Sequence, residues 1–181
     1  MTAAEAMLRR RSQSRVTPDA PDTAEIVRLT EVAATMADYG SLRPWRLIEL
    51  RGDARARLGA AFVEASSAEG KHAEKLAGKP LRASLLIAVV ASRQENFKVH
   101  AWEQDIAAAG VGHALNLLLH EAGWGAMWRS GPLTRTDPVR RMHGLADNEE
   151  LLGWLYVGGL TEKPSPDRKP APVESLVTTL R

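Results

Sequence analysis

The fold class that the sequence predicts is α+β, and three observations carry it. Amphipathic helical periodicity recurs more often than strand-like runs; SLLIAVVAS (84–92) is a continuous aliphatic run of strand length; and GWLYVGG (153–159) is a second such run bounded by glycines. With 181 residues and no shift in composition before the last twenty, the chain suffices for one domain with a real core.

The elements follow in order. Thr2 and Glu5 form a capping box for a helix through Ala6, Met7 and Leu8 that ends near the arginines at 9–11, where cations suit the helix dipole. Ile26, Leu29, Val32, Ala33 and Met36 fall on one face of a second helix, from Ala24 to Met36, capped by Asp22 or Thr23. GSLRPWRLIEL turns at Gly40 and Pro44 and enters an extended segment with Leu47, Ile48 and Leu50, where Pro44 and Trp45 serve the turn and packing. A helix from Ala54 to Ala65 follows, then a polar loop or short helix over 66–82, then the buried strand 84–92 at the middle of the sheet. Residues 102–122 are apolar on nearly every face, which marks a helix surrounded by protein, in a core or an interface. Asp137 and Pro138 suit the N-cap and first position of a short helix to about His143. After the strand 153–159, the proline-rich tail runs extended toward a last strand containing Val173, Leu176, Val177 and Leu180.

Composition excludes several classes. Lysine plus arginine exceeds aspartate plus glutamate by 24 to 22, a net charge of +2, too even for a nucleic-acid surface. The absence of cysteine removes disulfides, thiolate nucleophiles, iron–sulfur clusters and thiolate zinc sites, so redox chemistry requires a bound cofactor. The N-terminus lacks the form of a secretory signal and no apolar run has the length of a membrane span, so a cytoplasmic protein is expected. His72, His100, His113, His120 and His143 form no HExxH motif and no metal site is expected; GxSxG, GxGxxG and Walker A patterns are absent too.

Two stretches carry candidate chemistry. RRRSQSR (9–15) packs four arginines and two serines into seven positions, a composition able to grip a phosphate or simply to complement a helix end. GAMWRSGPLT (125–134) sets Trp128, Arg129 and Ser130 between glycines, either as anion donors or as a strand leading to a turn.

RRSxSR at 10–15, GSxxPWR at 40–46, RASL at 82–85, WEQ at 102–104 and WRSG at 128–131 occur in an order that resembles the nitroreductase family of FMN-dependent oxidoreductases, in its short single-domain branch, from Met7 to about Gly159. The resemblance implies a nitroreductase-like fold, a small mostly antiparallel sheet flanked by helices, in an intertwined homodimer with two FMN sites at the interface. It implies an FMN-binding domain over 1–163 and an extended arm over 164–181 that wraps the partner subunit. Arg10, Arg11 and Ser12 would hold the FMN phosphate and ribityl chain, Trp128, Arg129 and Ser130 would join the same site, and Arg10, Ser12 and Arg129 would enclose the terminal phosphate. Thr35 and the segment 38–41, with Tyr39 central, would cover the flavin from the other subunit. NAD(P)H is the implied co-substrate, a nitroaromatic, quinone or other conjugated compound the acceptor, and ping-pong the scheme, with no protein acid or base assigned. Arg11 or Arg15 would face the pyrimidine edge. The family commonly carries a proline–serine pair and an asparagine where this chain has Ala37, Asp38 and Ser41, and a basic residue where it has Ser14. An FMN-binding storage or sensor protein is the alternative, and a basic interaction module resting on the arginine run is a third reading.

Overall fold

The structure, a computed structural model, describes residues 2–162 and 169–180. Helix α1 (Ala3–Arg9) opens on a reciprocal cap, in which Glu5 N–H donates to Thr2 Oγ1 at 3.2 Å and Thr2 N–H donates to Glu5 Oε2 at 2.8 Å. Helix α2 (Thr23–Ala33) starts on the Asp22 carboxylate, which accepts from Glu25 N–H at 2.7 Å, and it ends three residues before Met36. Then come β1 (Trp45–Leu50), α3 (Asp53–Ser66), α4 (Gly70–Ala77), β2 (Leu85–Ser92), α5 (Ala101–Glu121), β3 (Trp124–Arg129), α6 (Asp137–His143) and β4 (Glu149–Gly159). The polar stretch 66–82 thus resolves into α4 and a 3-10 turn, Lys79–Arg82. Thr136 rather than Asp137 takes the N-cap position of α6, which sets Pro138 one place further into the first turn.

The four strands form one antiparallel sheet in the order β1-β2-β4-β3. Both of its faces are covered. Leu58, Phe62 and Val139, from α3 and α6, pack with Leu50, Leu86, Trp154 and Tyr156 on one face. Ile26, Leu115 and Leu119, from α2 and α5, pack with Leu85, Ile87, Leu155 and Val157 on the other. Strand β2 is therefore buried on both sides from Leu85 to Ala91, which accounts for its unbroken aliphatic run. Each fully buried leucine or isoleucine contributes about 1.5–3 kcal/mol of transfer free energy.

Strand β4 pairs with β2 through a bulge. Val89 faces Gly153 and Val90 faces Leu151, so Leu152 has no partner across the ladder. Leu151 consequently shares the α3/α6 face with Trp154 and Tyr156. The start of β4 is tied to β1 by a fork: Arg46 Nε and Nη2 donate to Glu149 Oε1 and Oε2 at 2.5 and 2.8 Å, and Ala146 N–H donates to Oε2 at 3.0 Å. Arg46's hydrogen bonds hold Glu149 at about 2, against the opposing effect of burial and with help from Ala146 N–H. Since the folded-state value lies below the ordinary 4.5, this stabilisation is fully present above pH 4.5 and is lost as pH falls through about 2. Urea unfolding across that window should show a loss of about 2 kcal/mol in the native protein, and Glu149→Gln should remove that part of the acid dependence.

Residues 169–180 contain one 3-10 turn, Val173–Leu176, and leave Val173, Leu176, Val177 and Leu180 exposed. The expected last strand is not formed among the described residues, because strand geometry needs a neighbouring edge to satisfy its backbone groups. The expected domain boundary at 163/164 falls outside the described residues.

Candidate functional site

After α1 the chain becomes extended and lies along the outer edge of β3. Ser12 bridges Ala126 in parallel, and Gln13 N–H donates to the Ala126 carbonyl at 3.0 Å. Gly125 makes this approach possible, since a Cβ there would lie 3.1 Å from Val16 Cγ1 and 3.2 Å from Gln13 Cγ. The glycine that suggested close approach of a ligand thus receives the chain's own N-terminal segment. Arg10, two residues before this bridge, is the C-cap of α1, and its N–H donates to the Ala6 carbonyl at 2.9 Å. The N-terminal segment thus forms a ledge along β3, and Arg129 lies three residues beyond the position that Ser12 bridges. Arg11 turns back: its Nη1 donates to the Leu8 carbonyl and, at 3.1 Å, to that of Arg10, closing the C-terminus of α1.

Trp128 is held mainly by packing. Its ring stacks on His113 of α5 with centroids 4.9 Å apart and planes 20° apart. A Cβ at Gly112 would come within 2.5 Å of Trp128 Cζ3, and one at Gly153 within 2.7 Å of its Nε1. Only glycine fits at either place. The next residue points to the other face of the sheet, where the Arg129 guanidinium lies 5.2 Å from the centre of the Tyr156 ring.

Arg129 and Ser130 open onto a cavity of about 430 Å³ lined also by Lys79, Arg82, Phe62, Trp154 and Tyr156, with no carboxylate among its lining residues. Arg129 Nε is buried and has no hydrogen-bond partner among the described residues. Burial pushes the Tyr156 hydroxyl up to about 12, opposed by the charges of Arg129 and Arg82, so the phenol is neutral beside the two guanidinium groups. Lys79 and Arg82 were not legible as site residues. They lie in a polar stretch without a motif beyond RASL, and the 3-10 turn into β2 delivers them to the cavity.

The segment with Thr35 and Tyr39 lies elsewhere. Thr35 is exposed after α2, its hydroxyl donating to the Val32 carbonyl at 2.9 Å. Tyr39 begins a 3-10 turn, Tyr39–Ser41, and is 61% exposed. Asp38 accepts from Arg43 N–H at 2.6 Å, Gln94 Nε2 donates to the Leu42 carbonyl at 2.6 Å, and a Cβ on Gly40 would touch Val99, so the turn is anchored to the loop that enters α5. The arginine segment stands at the far end of that helix, close enough for the charges of Arg9, Arg10 and Arg11 to act on His120. Across 21 residues at 1.5 Å each, the ends of α5 are about 30 Å apart. Within one chain, Ser12 meets β3 at Ala126, two residues before Trp128, whereas Tyr39 lies at the other end of α5.

Residues 7–159 match the Nitroreductase family. The chain is 34% identical over 161 residues to "Putative NAD(P)H nitroreductase YdjA" of Escherichia coli strain K12, covering 87% of this chain and 88% of that protein. It is 28% identical over 187 residues to "Putative NAD(P)H nitroreductase" of Haemophilus influenzae, covering 99% and 100%. Among solved structures it resembles a nitroreductase-like family protein from Bacillus cereus, with a TM-score of 0.87, 21% identity and coverage of 99% and 96%. It also resembles the FMN and NADPH-dependent nitroreductase NfnB from sphigopyxis sp. strain HMH, with a TM-score of 0.77, 17% identity and full coverage of both chains. The likeness to these two structures is one of fold.

Proposed function

Since the chain belongs to the nitroreductase family of oxidoreductases, we propose that it binds FMN, takes reducing equivalents from NAD(P)H and reduces a nitroaromatic, quinone or other conjugated acceptor in the cytoplasm. The observation that carries this reading is the cavity in which Lys79, Arg82 and Arg129 stand over aromatic walls without a carboxylate, with a buried Arg129 Nε still able to donate. Such a donor set suits the carbonyl-rich, electron-accepting edge of a flavin, whose negative charge grows on reduction. Bound FMN supplies two-electron transfer, accepting from NAD(P)H and giving to the acceptor by a ping-pong scheme. The protein's part is to position and to balance charge: Arg10 and Ser12 would hold the phosphate, Trp128 fixes the strand, and Arg129 and Ser130 would add their donors to the same FMN site. Arg11 would have to leave the carbonyls of α1 to join them, so its part is to support the ledge.

A homodimer completes the site. Trp102 and Ile106 on α5 are each 62% exposed, at positions where a second copy can bury them. A two-fold axis near the middle of α5 brings the Tyr39 end of one chain to the arginine end of the other, so that Thr35 and Tyr39 cover the partner's flavin. Residues 169–180 meet the partner in the same assembly, which gives the exposed Val173, Leu176, Val177 and Leu180 a surface.

The test is an anaerobic absorption spectrum. Purified protein should carry or bind FMN in preference to FAD, lose its yellow colour on addition of NADH or NADPH, and regain it with a nitroaromatic or quinone. A yellow protein that neither nucleotide bleaches is instead a storage or sensor protein, the reading that the altered loop around Tyr39 favours. A protein with no affinity for FMN removes both readings.

A further inference from the structure

The cavity beside Arg129 holds more positive charge than a flavin edge uses. Arg129 lines it with a buried Nε, Lys79 is half-buried and Arg82 is exposed, so its cations span from a buried donor to one that faces solvent. Other arginines of this chain meet carboxylates: Arg46, Arg51, Arg93, Arg135 and Arg141 each form an ion pair. Among the described residues, Lys79, Arg82 and Arg129 form none, and no carboxylate lines the cavity. Phe62 and Trp154, edge to face with ring centres 5.5 Å apart, supply an aromatic wall. Arg82 is carried on a fixed backbone: it ends the 3-10 turn Lys79–Arg82, and the next residue, Ala83, is buried with its carbonyl accepting from Arg55 Nη1 at 2.6 Å.

We infer that the acceptor taken by this cavity carries an acid group, as an aromatic carboxylate does, and that Arg82 is the residue that selects it. This deepens the FMN reading given above and rests on it. The charge that a flavin gains on reduction balances only part of the cationic set, and the remainder attracts a second anion. A guanidinium fork matches the two oxygens of a carboxylate, and the aromatic wall suits a planar ring. At about 430 Å³ the cavity lies toward the small end of ligand sites, which run from about 300 to 1,000 Å³, and so suits one ring with its acid group rather than a dinucleotide. Arg82 fits the selecting role best of the three cations. Its exposure lets it meet a ligand arriving from solvent, and no carboxylate among the described residues occupies its fork.

The experiment is a calorimetric titration of the FMN-loaded full chain, without reductant, using para-nitrobenzoate and its neutral counterpart of the same shape, para-nitrobenzamide. The carboxylate is expected to bind about tenfold more tightly than the amide at low salt, the worth of one charge-assisted hydrogen bond, and the preference should shrink as salt is raised. Arg82→Gln should bring the two affinities within about twofold, whereas Arg82→Lys, which keeps the charge, should retain a preference. Arg82→Ser takes the place of the glutamine variant if that one fails to fold. Equal affinities in the native protein, or binding of neither compound, overturn the inference. So does a preference that survives Arg82→Gln, or one lost equally in Arg82→Lys. Loss of FMN from Arg82→Gln makes Arg82 a flavin residue and ends its selecting role. A native protein that leaves FMN fluorescence unquenched overturns the FMN reading itself, and the inference with it.

Discussion

Arg10→Ala is expected to weaken FMN binding by about 1.5–3 kcal/mol, from roughly tenfold to more than a hundredfold, whereas Arg11→Ala should leave it within about threefold. The two residues are neighbours in a run of three arginines, and composition treats them alike. Geometry separates them. Arg10 stands two residues before the Ser12 bridge, while Arg11 spends its guanidinium on the carbonyls of Leu8 and Arg10. Loss of Arg11 should therefore show as a weaker α1, lowering thermal stability by a cost typical of one hydrogen-bonded cap, about 1 kcal/mol. Quenching of flavin fluorescence on titration measures both affinities. The reverse ranking would assign the phosphate contact to Arg11.

Mixing two inactive homodimers should restore about a quarter of the flavin sites. Arg10→Ala damages the phosphate end, and Thr35→Trp places a bulky ring in the segment proposed to cover the partner's flavin. Thr35 is exposed and suits such a substitution better than Ser41, whose φ of 53° penalises a large side chain. Each homodimer carries the same defect in both of its sites. Unfolded and refolded together, equal amounts give about half heterodimers, and by two-fold symmetry each heterodimer holds one doubly damaged and one intact site. Recovery of bound FMN absorbance near a quarter supports sites shared between subunits. Heterodimers that form without any recovery would mean that both groups of residues serve one flavin within a single chain, contrary to their placement at opposite ends of α5.

The elements that announced themselves in the sequence did so for local reasons. Thr2 with Glu5 and Asp22 before Ala24 are signals complete within four residues, and both caps form as expected. The aliphatic run 84–92 needed no partner to be recognised, because a strand covered on both faces has no polar side to alternate with. The site residues were legible only in part. Ser12 joins the strand that carries Trp128 and Arg129 through a bridge that no spacing reveals, since 114 positions separate Ser12 from Ala126. Lys79 and Arg82 reach the cavity through a 3-10 turn whose composition is that of any polar loop. The opposite faces taken by Trp128 and Arg129 follow from strand alternation once 124–129 is known to be a strand. The N-cap of α6 moved by one residue because Thr136 and Asp137 are both good caps, and local composition does not choose between them. The tail was expected to form a strand from its alternating pattern, but alternation supplies a face and not an edge.

The bulge in β4 has a consequence for how this chain can vary in length. A residue inserted into a regular strand rotates everything beyond it to the wrong side, which would turn Trp154 and Tyr156 out of their core and carry Arg129's neighbours with them. Here the surplus residue is confined to Leu152, and the pairings resume on both sides in phase: Leu151 before it and Trp154 after it face the same layer. A chain shorter by that one residue keeps the same inward and outward sequence as an unbulged strand. Single-residue gain or loss is therefore absorbed at this point in the central sheet, and the Trp154 and Tyr156 wall of the cavity keeps its orientation through it.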